Sequence, residues 1–303
     1  MTLNEVKRRF PDDAACKRYL AKKRWPDNVT CPRCGSDKVK DLAPKRPFHW
    51  QCRQCSKNGY RFSVLAGTIY ENTNVPLPVW FQVINLMLTS KKGISAMQVR
   101  RLIDPVRGKK GAYRTAWYLC HRIRAAMKND EFQKLSGYVE VDETYIGGKA
   151  KNKHGGGPGG YRRNRPGHGG VADKTPVIGA ISRRGNVVCE VIDRTDRKTL
   201  EGFVRETVSD KVELVATDEH AGYAQLSLHG FPHQSVSHGG GEYVRGEVHT
   251  GNLDSFWSLL KRGIMGQFHQ VSKKYLPLYV DEFAFRHNHR DNPDAFGTVI
   301  ESC

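Results

Sequence analysis

Apolar positions change their period part-way along this chain. Over residues 76–128 they recur every three or four residues, and from residue 138 they gather into short runs. The first spacing predicts helices over residues 78–89, 95–102 and 113–127. Pro78 suits a first helical turn, where its missing N–H leaves nothing unpaired. Ser95 is placed as the N-cap of the second helix. Phe10, Tyr19, Leu20 and Trp25 anchor a helical lead over residues 1–28. The runs at 138–141, 176–181, 187–191 and 214–216 predict buried strands, with a short fifth at 234–237. Arg183-Arg184-Gly185-Asn186 supplies turn residues for a hairpin between the second and third runs. Helical spacing returns at 200–208, 253–264 and 275–287. Strands interleaved with helices predict a mixed α/β layer architecture.

Residues 147–170 fit neither period. They hold ten glycines, six Lys/Arg and no acid, a composition that cannot bury a core. Two readings stand: a flexible insertion, or a basic arm that orders on a nucleic-acid backbone. The whole chain shares this bias, with 49 Lys and Arg against 31 Asp and Glu and a net charge of +18. Such an excess predicts a polyanionic partner. No apolar run approaches the ~20 residues that span a bilayer, and the N-terminal segment is charged where a signal peptide needs an apolar stretch. These features predict a soluble intracellular protein with no membrane partner.

Eight cysteines in 303 residues are too sparse for a disulfide scaffold. Four of them form two C-x-x-C pairs, Cys31/Cys34 and Cys52/Cys55, separated by seventeen residues. That spacing predicts one structural Zn²⁺ in a zinc ribbon, with Gly35 forming the knuckle. Four thiolates leave no open position for catalysis. Cys16, Cys120, Cys189 and Cys303 have no such spacing and are expected as core or incidental thiols.

Residues 91–128 carry eleven Lys/Arg and a single acid, Asp104. Three short helices this basic predict a helix-turn-helix, its last helix docked through Trp117, Leu119 and Ile123. Candidate DNA contacts are Arg100, Arg101, Lys109, Lys110, Arg114, Arg122 and Arg124, joined by Arg162 and Arg163 of the glycine-rich segment and by Arg262.

The candidate chemistry rests on three dispersed acids. Asp142 and Asp218 each end an apolar run, so strand pairing can set their carboxylates side by side. Asp254 lies on a helix whose apolar positions are Leu253, Phe256, Trp257, Leu260 and Ile264. Oxygen ligands converging in this way suit Mg²⁺ or Mn²⁺, two of which can drive phosphodiester chemistry. Lys261 follows Asp254 by seven residues, hence about two turns along one face, where it can meet a phosphate. Glu143, Glu219, Glu242 and His249 are near enough in sequence to tune or replace a ligand, or to be ordinary surface groups.

With these residues in view, the chain resembles the DDE-type insertion-sequence transposases that carry an N-terminal zinc ribbon and an ISXO-like, RNase H-like catalytic domain. The matching stretches are CPRCGS with CRQC, FSVLAGTIYENT, GISAMQ with RTAWYLCHRIRAAM, VEVDETYIGGK, ATDEHAGY and the long block from GGEYVRGEVHTGNLDSFWSLLKRG to DEFAFRHNHR. They cover nearly the whole chain in the family's order. The resemblance implies that Asp142, Asp218 and Asp254 hold two Mg²⁺ (or Mn²⁺) ions and that Lys261 positions the strand. It implies cleavage at transposon ends and joining of the freed 3′-OH to target DNA, with at least a dimer to bring two ends together. It also implies a cytoplasmic protein on prokaryotic chromosomal DNA. Asp218 and Asp254 enclose 35 residues, as in many enzymes of this class. The chain departs from the pattern in having Asp254 where Glu is common and in a long 104–112 loop.

The expected domains are a helical lead and ribbon over 1–70, a helix-turn-helix over 71–130, and a catalytic domain over 131–303 carrying the 147–170 insertion. Three other readings stay open. One is an RNase H-like nuclease that cuts without joining. Another is a transposon-derived DNA-binding protein with impaired catalysis. The last is a zinc-ribbon transcription factor, which leaves the carboxylates unexplained.

Overall fold

The computed structural model describes every residue except 56–57, 108–112, 129–131, 148–173, 184, 238–239, 241–243 and 247. Lys109, Lys110, Arg162, Arg163, Glu242 and nearly all of the 147–170 insertion therefore lie outside the described residues. The chain divides into two compact units, Met1–Lys128 with Arg290–Cys303, and Asn129–His289.

In the first unit the helical lead is two helices, α1 (Leu3–Arg9) and α2 (Asp13–Arg24). Thr2 and Glu5 form a capping box on α1, and Asp12 caps α2, so the break falls where a second N-terminus can be satisfied. A three-stranded antiparallel sheet follows: β1 (Val39–Asp41), β2 (His49–Cys52) and β3 (Tyr60–Ser63). Next come α3 (Leu77–Thr89), α4 (Ala96–Arg107) and α5 (Tyr113–Ala126). Ser95 caps α4 as expected, in a reciprocal pair: Gln98 N–H donates to Ser95 Oγ at 3.2 Å, and Ser95 N–H to Gln98 Oε1 at 3.1 Å. The C-terminal helix Ala295–Glu301 belongs to this unit. Its Phe296 joins Phe10 and Phe81 in an aromatic cluster with centroids 4.8–5.9 Å apart. Lys23 bridges Asp294 and Glu301 at 3.1 and 2.8 Å.

The second unit is built on a five-stranded mixed sheet. Its elements are β4 (Tyr138–Ile146), β5 (Thr175–Ser182), β6 (Val187–Val191), α6 (Arg197–Thr207), β7 (Leu214–Thr217), β8 (His233–Ser235), α7 (Gly251–Gly263) and α8 (Leu276–Asn288). The strand order is β6-β5-β4-β7-β8, with β4, β5 and β6 antiparallel and β7 and β8 added in parallel. This is an RNase H-like sheet.

Side-chain alternation splits β4 and β5 between two cores. Val139 and Val141 of β4 and Ile178 and Ala180 of β5 pack with Leu200, Phe203 and Val204 of α6. Val177 and Ile181 face the other way, onto Leu253, Phe256, Trp257 and Leu260 of α7 and Val280 and Phe283 of α8. Among the described residues no helix is long and apolar enough to cross a membrane.

Candidate active site

β4 runs five residues past the expected end at 141, because Asp142 to Ile146 keep their pairing with Gly179 to Thr175. Asp142 is thus inside a strand, not at its end. Residues 140, 142 and 144 share the face covered by α7. Asp218 directly follows β7, whose parallel register pairs Glu140 with Ala216. Two more residues along that register set Asp142 level with Asp218. His220 N–H donates to Asp218 Oδ1 at 3.0 Å and orients its carboxylate.

Asp142 is held from above. Trp257 of α7 donates its indole N–H to Asp142 Oδ2 at 3.0 Å. The indole has room because the residue paired with Asp142 is Gly179. A Cβ there would come within 2.7 Å of Trp257 Cζ2 and Cη2. Glu143, next on β4, is held from the opposite core: the buried Tyr223 hydroxyl donates to Glu143 Oε1 at 2.7 Å. Carboxylate oxygens of Asp142, Glu143 and Asp218 all lie within 4.8 Å of one another.

Such crowding raises proton affinity. Burial pushes the Asp142 carboxyl up to about 7, reinforced by the charges of Asp218, Glu143 and Asp254. Burial also pushes Glu143 up to about 7, against the Tyr223 hydrogen bond and with the Asp218 charge adding to it. A divalent cation removes that penalty. Octahedral Mg²⁺ takes hard oxygen ligands at ~2.1 Å, carboxylates above all, and three carboxylates gathered within 4.8 Å are the chemistry of donor set that suits it.

Asp254 sits on the first turn of α7, one turn before Trp257, and is exposed. Thr250 Oγ1 donates to its Oδ2 at 3.3 Å. Its carboxylate lies outside the 4.8 Å group, although its charge is felt at Asp142. Lys261 and Arg262 are exposed further along α7.

Sequence reasoning passed over a neighbour, Glu140. It is fully buried. Its Oε2 accepts the backbone N–H groups of Asn252 (2.9 Å) and Leu253 (3.1 Å), and its Oε1 accepts from Asn252 Nδ2 (2.7 Å). His249 Nδ1 lies 3.2 Å and Arg183 Nε 3.6 Å from Oε1. A strand carboxylate thus caps α7, whose own N-cap residue Thr250 makes no side-chain cap. The alternation V-E-V-D-E held the signal, since it sets Glu140 and Asp142 on one face.

The other candidate centre is the ribbon. The sulfurs of Cys31, Cys34, Cys52 and Cys55 lie within 4.8 Å of one another, with Cys31–Cys55 at 3.5 Å and Cys34–Cys52 at 3.7 Å. Tetrahedral zinc with ~2.3 Å bonds needs sulfurs ~3.8 Å apart, which this set fits. Gly35, at φ +71°, forms the first knuckle and donates its N–H to Cys31 O at 2.8 Å.

Comparison with known proteins meets this geometry at both sites. Residues 134–288 match the ISXO2-like transposase domain, and residues 11–58 match the transposase zinc-ribbon domain. The chain belongs to the ISXO2-like transposase family. The transposase-domain match coincides with the second compact unit. A relative described as an uncharacterized protein in transposable element ISH50, from Halobacterium salinarum, is 28% identical over 281 residues, covering 90% of each chain. A chain of the simian T-cell lymphotropic virus intasome in complex with PP2A regulatory subunit B56 gamma shows a remote likeness. It has TM-score 0.29 and 12% identity over 60% of this chain and 63% of that one, too little to bear on fold.

The expected DNA contacts of this transposase-family chain fall into distinct places. Arg101, Arg114 and Arg262 are exposed, and Arg100 is half-buried. Arg122 is engaged internally: its guanidinium donates to Glu71 O at 3.1 Å and Thr68 O at 3.3 Å, tying α5 to the ribbon tail. Arg124 is only 2% exposed. It lies on the buried face of α5 with Leu119 and Ile123, turned away from solvent. The turn between α4 and α5 falls on residues outside those described.

Proposed function

We propose that the protein is an active DDE-type transposase that binds the ends of its own element, cuts them and joins them to target DNA. The observation that carries this reading is the convergence of the Asp142, Glu143 and Asp218 carboxylates, with Asp142 tied to the helix that bears Asp254 and Lys261. Asp142 and Asp218, with Asp254, are the residues that would hold two divalent ions. When bound, such ions supply activation of the attacking oxygen and stabilise charge on the entering and leaving oxygens.

The chain's own groups do the rest. Trp257 and His220 orient the carboxylates of Asp142 and Asp218. Lys261, exposed on α7, meets the phosphate next to the cut. In the first reaction a water oxygen bonds to phosphorus at the transposon end, the P–O3′ bond breaks, and the freed 3′ oxygen takes a proton. In the second, that 3′-OH attacks a target phosphate, forms a new P–O bond and releases the target's 3′ oxygen. No covalent protein–DNA bond is needed. The exposed Arg101 and Arg114, on the α4 and α5 of a helix-turn-helix, meet end-DNA phosphates, and one Zn²⁺ holds the ribbon. Two protomers bring two ends together.

One observation favours a second reading, a DNA-binding relic with impaired catalysis: Asp254 stands outside the close carboxylate group. Pre-cleaved transposon ends, incubated with the protein, target plasmid and Mg²⁺, separate the readings. Covalent joining of ends to target supports the transposase. End binding without joining supports the relic, and cutting without joining supports a nuclease.

A further inference from the structure

Glu140 is a buried carboxylate that the proposed chemistry does not use. It precedes Asp142 by two residues on the same face of β4, yet its hydrogen bonds run to α7. The gripped residues are Asn252 and Leu253, and the next residue is Asp254. Thr250, at the N-cap, leaves the helix end to Glu140 and donates its hydroxyl to Asp254 instead. A second fastening lies one turn on, where Trp257 meets Asp142 over the bare backbone of Gly179. The strand that carries Asp142 thus clamps the first turn of α7 at two points. Asp254 is one methylene shorter than glutamate, so its reach depends directly on how close that turn is held.

We infer that Glu140 is a positioning residue of the metal site: it fixes the first turn of α7 against β4 so that the short Asp254 works with Asp142 and Asp218. The inference rests on the reading that these three acids hold divalent ions.

The test is Mn²⁺ titration of the full-length, zinc-loaded protein, with free Mn²⁺ followed by electron paramagnetic resonance. The variants are Glu140→Gln, Asp254→Glu, and the two combined. Glu140→Gln keeps the volume but turns one acceptor oxygen into a donor facing N–H groups. The expected result is Mn²⁺ binding weakened by about 10-fold or more, the range of losses when groups that orient a ligand are removed. Asp254→Glu in that background restores most of the loss, because a longer side chain spans the gap that a looser helix leaves. A merely structural role would show no such rescue. Unchanged affinity in Glu140→Gln, or a double variant as weak as the single one, overturns the inference. If Glu140→Gln does not fold, Asn252→Ala takes its place: a smaller loss, again rescued by Asp254→Glu, supports the inference, and no loss overturns it. Failure of the underlying reading is distinguishable, since there the wild type and Asp142→Asn bind Mn²⁺ alike.

Discussion

Trp257 and Asp142 lie 115 residues apart, and the indole N–H of one donates to the carboxylate of the other at 3.0 Å. The bond ties the helix that carries the third acid to the strand that carries the first. A hydrogen bond to a charged group contributes ~1.5–3 kcal/mol, here in favour of the ionised form that a cation needs.

Trp257→Phe keeps the ring packed in the core but removes the donor. Mn²⁺ affinity is expected to fall about 10-fold, with little change in circular dichroism. Titration with Mn²⁺ checks this, and a variant that binds as tightly as the wild type refutes the orienting role.

The two carboxyls raised to about 7 set a pH dependence. In the unfolded chain they titrate near their ordinary values of 3.8 and 4.5. Between pH 4 and 7 the folded, cation-free protein therefore holds more protons than the unfolded chain, and its stability falls as pH rises through that window. The loss is on the order of a few kcal/mol. Thermal melts without added Mg²⁺ or Mn²⁺ should show a lower Tm at pH 8 than at pH 5. Asp142→Asn should flatten that slope, and Mn²⁺ should recover stability chiefly at pH 8.

The ribbon makes a separate prediction. Wild-type protein should hold one zinc per chain, and Cys31→Ser should reduce it well below one, because three thiolates leave the shell open. Atomic absorption reads the zinc, and a parallel melt should show a lower Tm as the β1–β3 sheet loses its anchor.

Two arginines of α5 should behave oppositely. Arg124 is buried, so Arg124→Ala should lower stability by about 2 kcal/mol through lost packing and partners. Arg114 is exposed, so Arg114→Ala should leave stability within about 0.5 kcal/mol. It should weaken DNA binding and reduce the slope of log affinity against log salt by about one. Melts and salt-dependent binding assays compare the pair.

Much of this arrangement is legible in local pattern. The cysteine spacing, the Ser95 cap and the apolar stripe of α7 follow from positions a few residues apart or from a fixed spacing, and the short apolar runs before Asp142 and Asp218 are readable in the same way. What escapes is set by distant contacts. β4 continues past 141 because β5 pairs with it, which no local apolar run announces. Glu140 looks like any polar strand position until α7, 112 residues on, presents its unpaired N–H groups. Arg124 counts as a basic surface residue until the packing of α5 buries it. The C-terminal helix is short, and contacts distant in sequence, Phe296 against Phe10 and Phe81 and Lys23 with Asp294 and Glu301, reveal that it packs within the first unit.

Cutting of DNA at the close carboxylates is the step on which the proposed function turns. Its most direct measurement is cleavage of a supercoiled plasmid carrying the element's own ends, with Mg²⁺, by the wild type, Asp142→Asn and Asp218→Asn. The wild type should cut at the ends, and both variants should bind the ends without cutting. Cutting at the wild-type rate by either variant would contradict the proposed function.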